Sequence, residues 1–412
     1  MRLLKNEHSK LSVLLIGIGY FPYRVTGDKN FFVQLAPIIA DHLDNLVILS
    51  INDQKEESCT QLSKKDNITI FNLGRSLHLR DKKRFYGREG NLRYYHHFHR
   101  PVQEIIERYV TLYLSLPKIS TIITNYRIDV IQFMDNCGPS MNLIKRKFKK
   151  QTVCYSAMAY IPRGLFYDRY LTYCSKNLDY VVPYSQAYKR KLVELGLPES
   201  TLRVIRWGVD IPRSEISENE KRRVKCSLGC RPDVKLVLWS GFIQQVEEEE
   251  FYQALNLAVG IVKEFDTWEF LFAFKPERYK KRYTLAEKRG IKIRTNIQDF
   301  LTLLESVDLF FSPIRSLNSI VAPPLTWLEA MARKTPIIST RVGGVGEIID
   351  DRISGFVFEQ SEDLRTIFRL ASNDSYLKQV SESAQDTIKK KFNIKIGAKK
   401  YLQLWQEQKE YG

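Results

Sequence analysis

Short unbroken runs of apolar residues recur along the chain and alternate with stretches of helical spacing. Ser12-Val-Leu-Leu-Ile-Gly17 is the first such run. Apolar text without alternation marks a strand covered on both faces, as in a parallel sheet. Asn30 to Leu43 follows, with Phe31, Leu35, Ile38 and Ile39 near helical spacing, and Leu46-Val-Ile-Leu-Ser50 reads as a second strand. Strand, helix and strand in this order form the βαβ unit of an open α/β sheet.

The rhythm continues with a helical stretch from Val102 to about Leu116 and strands at Asp129–Met134, Thr152–Ser156 and Asp179–Ser185. The last runs into a helix from Gln186 to Leu195, stopped by Gly196, and Arg203-Val-Ile-Arg-Trp207 then leads to Gly208. Residues 211–222 are polar and without apolar period, the best position for a domain boundary. A second βα series follows. Strands are predicted at Leu236–Ser240, Glu269–Phe274, Ile291–Arg294, Asp308–Ser312 and Pro336–Ser339. Helices are predicted at Phe251–Phe265, after Pro323 to Ala332, and through most of Glu362–Trp405. The division is an N-terminal α/β domain at 1–210, a C-terminal one at 211–390 and a C-terminal helix at 391–412.

Composition sharpens this picture. The 412 residues are 44% hydrophobic and 12% aromatic, enough for sizeable cores, which excludes a disordered chain. No run reaches the roughly 18 apolar residues of a membrane span. The formal charge is +17, and it is uneven: residues 1–210 carry a net of +13 and residues 211–412 a net of +4. Residues 75–100 hold eight Lys and Arg, four His and five Phe and Tyr, against Asp81 and Glu89 alone. Lys145-Arg-Lys-Phe-Lys-Lys150 is a second basic cluster. Six dispersed cysteines suit a reducing compartment, and the Cys226/Cys230 spacing is a weak metal signal. Basic residues before the apolar run at Leu11–Ile18 mimic a leader, but Gly17, Gly19 and Pro22 point to a strand entering a turn.

Ligands of α/β domains sit at the carboxyl ends of strands, near helix N-termini. Pro323-Pro-Leu-Thr-Trp-Leu-Glu329 opens a helix whose Leu325 and Thr326 N–H groups can face an anion. Glu329, one turn in, can accept two hydroxyl hydrogen bonds, as a ribose diol requires; taken alone it reads first as a solvated or dipole-paired glutamate. Gly343-Gly344 after a strand permits close backbone approach, and Glu347 begins the next turn.

With these residues in place, the span 308–359 resembles the donor-binding half of glycosyltransferase family 4. The match consists of Asp308-Leu-Phe-Phe-Ser-Pro313, Pro324-Leu-Thr-Trp-Leu-Glu329-Ala-Met-Ala332, Pro336-Ile-Ile-Ser-Thr340, Gly343-Gly344, Glu347 and Ser354-Gly-Phe-Val357. Fainter echoes lie at Gly27, Asp129-Val-Ile131, Asp179-Tyr-Val-Val with Ser185, and Trp207-Gly-Val-Asp210. The resemblance implies the α/β GT-B fold, two Rossmann-like domains facing across a cleft, with a C-terminal helix able to return to the first domain. It also implies hexosyl-type transfer from a nucleotide-diphosphate sugar with retention. Glu329 would hold the donor ribose, and Pro324, Leu325, Thr326, Gly241, Gly343, Gly344 and Glu347 would line the donor site. Thr26 and Gly27 would form a loop near donor and acceptor.

The departures are specific. Val321 stands where the family has a second glutamate. Phe242 replaces the arginine after Gly241, and Glu247–Glu250 replace the lysine region that holds the diphosphate. Lys275 and Arg315, each following a strand, can supply the missing charge. Gln132 and Met134 stand where the family often has histidine. Asp135 and Asn136 follow that strand and can bind acceptor hydroxyls or cap a helix, and they are the candidate catalytic residues. No metal or resident cofactor is expected. The basic first domain would take a glycan or lipid-linked acceptor at an anionic membrane, which predicts a cytoplasmic, peripheral enzyme of glycolipid, polysaccharide or glycoconjugate synthesis. Two other readings remain: a catalytically degenerate GT-B partner of another transferase and, more remotely, a nucleic-acid-binding protein, for which no known motif is present.

Overall fold

The computed structural model describes residues 10–18, 27–52, 65–74, 106, 109–134, 137–157, 165–242, 246, 248–275, 280–295, 297–314, 324–342 and 344–407. The chain divides into two compact units. One comprises residues 1–206 and 395–412, the other 207–394. No helix among the described residues is long and apolar enough to cross a membrane.

The first unit holds six strands: β1 (Leu11–Ile18), β2 (Leu43–Asn52), β3 (Ile68–Gly74), β4 (Val130–Phe133), β5 (Thr152–Ala157) and β6 (Tyr180–Pro183). Every pairing is parallel and the order is β3-β2-β1-β4-β5-β6. The apolar run that mimics a leader is β1, paired on both sides and buried from Leu11 to Gly17. The second unit repeats this plan with β7 (Lys235–Phe242), β8 (Trp268–Lys275), β9 (Lys292–Thr295), β10 (Leu309–Ser312), β11 (Ile337–Thr340) and β12 (Phe356–Phe358). Its order, β12-β11-β10-β7-β8-β9, is the same topology, with the direction of crossover reversing between β7 and β10.

Aspartates ahead of three strands pin the neighbouring strand by its first amides. The Asp129 carboxylate accepts from the Ser12 N–H at 2.8 Å, Asp179 from Val153 at 2.7 Å and Asp308 from Leu236 at 2.7 Å. Two of these carboxylates also hold a lysine, Lys145 to Asp179 at 2.5 Å and Lys225 to Asp308 at 2.9 Å. The basic run 145–150 therefore spends one of its charges internally, and Phe148 within it is buried.

Several elements depart from the sequence reading. The polar stretch 211–222 is not a bare linker: Ser217 accepts from the Glu220 N–H and caps a helix, Glu218–Ser227. Its inward face buries only Lys225, so no apolar period reveals it. β3 is a sixth strand that the pattern does not mark, and helices Pro139–Lys147 and Leu165–Ser175 are likewise unmarked. The first helix starts at Gly27 and ends at Ala40, so Leu43 opens β2. The helix after the 75–100 insert runs past Leu116 to Asn125. The C-terminal segment forms helices Ser361–Ala371, Asp374–Lys391 and Ile394–Gln406.

The last helix is tied to the first sheet by polar side chains inside an apolar core. The Trp405 indole N–H donates to Gln132 Oε1 at 3.2 Å, Gln132 Nε2 donates to Ser156 Oγ at 3.2 Å, and Ser156 Oγ meets the Tyr401 hydroxyl at 2.9 Å. Within the second unit the Val209 N–H donates to Phe392 O and the Ile394 N–H to Val209 O, at 2.9 and 3.1 Å. Gly208 is required there, because a Cβ would lie 2.5 Å from the Ile394 Cα.

Candidate functional site

In the second unit the helices after β7 and after β10 belong to crossovers that run in opposite directions, so they lie on opposite faces of the sheet. The carboxyl ends of β7 and β10 meet at this switch, where α/β folds bind ligands.

The helix after β10 is Leu325–Ala332. Pro324 is its N-cap residue, not a first-turn proline, with φ −61° and ψ 127°. A proline there has no side-chain oxygen to cap the next amides. The Trp327 N–H donates to Pro324 O at 3.0 Å. Among the described residues no acceptor meets the N–H of Leu325 or Thr326. The helix is anchored by Trp327, whose indole N–H donates to Ser312 Oγ at the end of β10 at 3.0 Å. At its other end, Gln385 Nε2 donates to Ala332 O at 2.9 Å. Both ends being pinned, Glu329 has a defined position.

Glu329 is part-buried, and among the described residues no donor reaches its carboxylate. Burial pushes its carboxyl up to about 7, with Arg333 one turn on pulling the other way. Arg333 Nη1 donates instead to the Glu329 carbonyl at 3.1 Å. Burial lowers the Arg333 guanidinium from its usual value, while the charges of Glu329, Glu305, Asp210 and Asp299 favour its charged form. A carboxylate desolvated and without donors is poised to accept hydroxyls, which would stabilise its ionised form.

The loop after β11 turns at Gly344, which has φ 88° and caps a short 3₁₀ turn, Val345–Glu347. A Cβ on Gly344 would meet nothing within 4 Å, so the glycine answers to the left-handed backbone and leaves open space above it. Glu347 closes the turn and is half-buried. A cavity of about 400 Å³ lies at the carboxyl ends of β10, β11 and β12, lined among others by Glu250, Gln253, Ile314, Thr340, Arg341 and Glu359. It adjoins the glycine loop and the helix after β7, on the face opposite Glu329.

The glutamates that replace the family's lysine region have a structural placement. Glu248, Glu249 and Glu250 form the first turn of helix Glu248–Glu264, where the helix dipole favours acids. A cation that the sequence reading did not single out meets them there. Arg282, on helix Lys280–Lys288, donates from Nη1 to Val246 O at 3.3 Å. Its Nη2 lies 3.8 Å from Glu248 Oε2, and its guanidinium packs 5.8 Å over the Phe251 ring. Only the third dimension brings residue 282 beside residue 246; no spacing rule links them.

Other expected residues are distributed as follows. Gly241 lies within β7, and Gly27 begins the first helix. Lys275 ends β8, its side chain outside the description. Thr26, Asp135, Asn136, Arg315, Val321, Gly343 and the insert 75–100 lie outside the described residues. Gln132, which stands where the family often has histidine, is fully buried and holds Trp405, so it is a structural residue of the first unit.

Comparison with known proteins narrows the class. Residues 235–372 match the family described as glycosyl transferases group 1. The uncharacterized glycosyltransferase MJ1069 of Methanocaldococcus jannaschii is 22% identical over 382 residues, spanning 85% of this chain and 93% of that protein. A glycosyltransferase structure from Rickettsia africae aligns with a TM-score of 0.71 at 17% identity, covering 97% of this chain and 99% of that one. Anabaena HepE, crystallised in complex with UDP, aligns with a TM-score of 0.68 at 13% identity, covering 96% and 100%. The chain is a divergent glycosyltransferase of the GT-B fold. The matched segment of the transferase contains Glu329, Arg333, Gly344 and Glu347, together with Arg282.

Proposed function

We propose that the transferase belongs to family 4 and moves a hexosyl group, with retention, from a nucleotide-diphosphate donor to a glycan or lipid-linked acceptor. The observation that carries this reading is Glu329: a part-buried carboxylate that meets no donor among the described residues, one turn from two helix N–H groups that meet no acceptor among them, at the switch point of the sheet. Glu329 binds the ribose diol, and the amides of Leu325 and Thr326 meet donor oxygens. Gly344, with Gly343 and Glu347, leaves room for the donor. UDP in the HepE structure supports a nucleotide in such a fold.

Arg282 supplies positive charge near the diphosphate, in place of the arginine and lysine that became Phe242 and the glutamate run. Lys275 and Arg315 remain further candidates for that role. No metal or resident cofactor takes part. The leaving diphosphate deprotonates the acceptor, and the protein contributes orientation and charge stabilisation. Asp135, Asn136, Thr26 and Gly27 contact the acceptor side. The basic first domain works peripherally at the cytoplasmic face of an anionic membrane, in glycolipid, polysaccharide or glycoconjugate synthesis.

The test is a nucleotide-sugar panel read by thermal shift and donor hydrolysis, with Glu329→Ala alongside. A nucleotide that binds the native state raises the melting temperature of the wild type and not of the variant. No shift and no turnover with any donor would overturn the reading. It would favour a degenerate partner of another transferase, the second reading that the acids at the N-terminus of helix Glu248–Glu264 support.

A further inference from the structure

One helix of the first unit is apolar on the face it turns to solvent. Residues 109–114 are helical, and beyond Ser115 the helix continues as Leu116–Asn125. Its inner stripe of Leu112, Leu116 and Ile119 is buried in the core. The outer stripe should then be polar. Instead Ile106, Tyr113 and Leu114 are 45%, 53% and 60% exposed. Tyr109 stacks on Tyr113 with ring centroids 6.2 Å apart, and Val110 between them is half-buried. Positions 109, 110, 113 and 114 follow helical spacing along the described turns, so they form one stripe, and Ile106 ahead of them is also helical and exposed. The next turn of the same face carries the exposed Lys118.

We propose that this stripe is a docking surface for an anionic lipid bilayer. Charge decides the occupant. The stripe belongs to the half of the chain with a net charge of +13. Five residues separate Ile106 from the segment 75–100, which has eight Lys and Arg and five Phe and Tyr. Apolar and aromatic side chains that enter the interface, joined to cations that meet lipid phosphates, supply the two signals that stable peripheral attachment needs. Tyrosine suits that position because its ring is apolar and its hydroxyl stays hydrated. A second copy of the chain would bring the same charge, +17 in total, against itself. The inference rests on the reading of the acceptor as membrane-borne, and it is independent of the donor chemistry at Glu329.

The experiment is co-sedimentation of the full chain with phosphatidylcholine vesicles, with and without phosphatidylserine, for the wild type and for Tyr113→Ser/Leu114→Ser. Both side chains are exposed, so the variant should keep the wild-type melting temperature and circular dichroism. The wild type should bind the anionic vesicles, weakly in high salt, and the double variant should bind on the order of tenfold less tightly or worse. Equal binding of the wild type to neutral and anionic vesicles, or undiminished binding of the variant, overturns the proposal. So does a wild-type dimer that the variant dissociates while vesicle binding is unchanged. Donor hydrolysis in solution, measured in parallel, tests the Glu329 reading separately: it can survive when vesicle binding fails, and fail when vesicle binding survives.

Discussion

Replacing Glu329 by glutamine should stabilise the protein at high pH and not at low pH, while weakening nucleotide binding. Burial raises the folded-state carboxyl from its ordinary 4.5 to about 7. A raised acid binds its proton more tightly in the folded state, so the folded state carries more protons between these two values. Stability must therefore fall as pH rises through this window. At about 1.4 kcal/mol per pH unit, the wild type loses on the order of 3 kcal/mol by pH 8, less whatever solvent reaches the part-buried carboxylate. Glutamine, never charged, loses nothing. Urea denaturation of both proteins at pH 4.5, 6 and 8 should give similar stabilities at the lowest pH and a growing advantage for Glu329→Gln above it. Nucleotide affinity should run the other way: wild-type binding should weaken as pH falls below about 7, and the variant's should be weaker and flat. Stability curves that stay parallel across the range would refute the desolvated-carboxylate account.

Three other outcomes follow from the geometry. Arg282→Ala should weaken donor or nucleotide-diphosphate binding at least about tenfold, as loss of a charge-assisted contact of about 1.5–3 kcal/mol implies, while nucleoside binding measured by calorimetry stays unchanged. Trp405→Phe leaves the buried Gln132 Oε1 without its indole donor, so the free energy of unfolding measured by urea denaturation should drop by about 1–3 kcal/mol with nucleotide affinity intact. Gly208→Ala forces a Cβ to 2.5 Å from the Ile394 Cα, a backbone contact that cannot yield, and should cost at least about 1–3 kcal/mol in the same assay.

Elements covered on both faces could be read from the chain. β1, β2, β7, β8 and β10 are continuous apolar runs because a parallel sheet buries both sides, and each was predicted within a few residues. Elements stabilised by polar contacts could not. Helix Glu218–Ser227 buries a lysine against Asp308, and its only local sign is the Ser217 cap with Glu220 three residues on. In the candidate site, Pro324, Gly344, Glu347 and Glu329 stood out because each carries a local requirement: a fixed φ, a left-handed turn, a carboxylate at a helix start.

What the sequence determined by itself was the repeated βα rhythm, the motif around Pro324–Glu329 and Gly343-Gly344, and the uneven charge, all of which depend on near neighbours in the chain. The tertiary structure alone decided three things. Glu329 became a carboxyl that titrates near neutrality, because burial depends on what packs around it. Gln132 became an anchor for Trp405, 273 residues away. Arg282 brought a cation to the acidic first turn of helix Glu248–Glu264, a proximity created by two helices that follow adjacent strands β7 and β8. Protonation, anchoring and charge placement are properties of distance in space, which chain order does not encode in any local pattern.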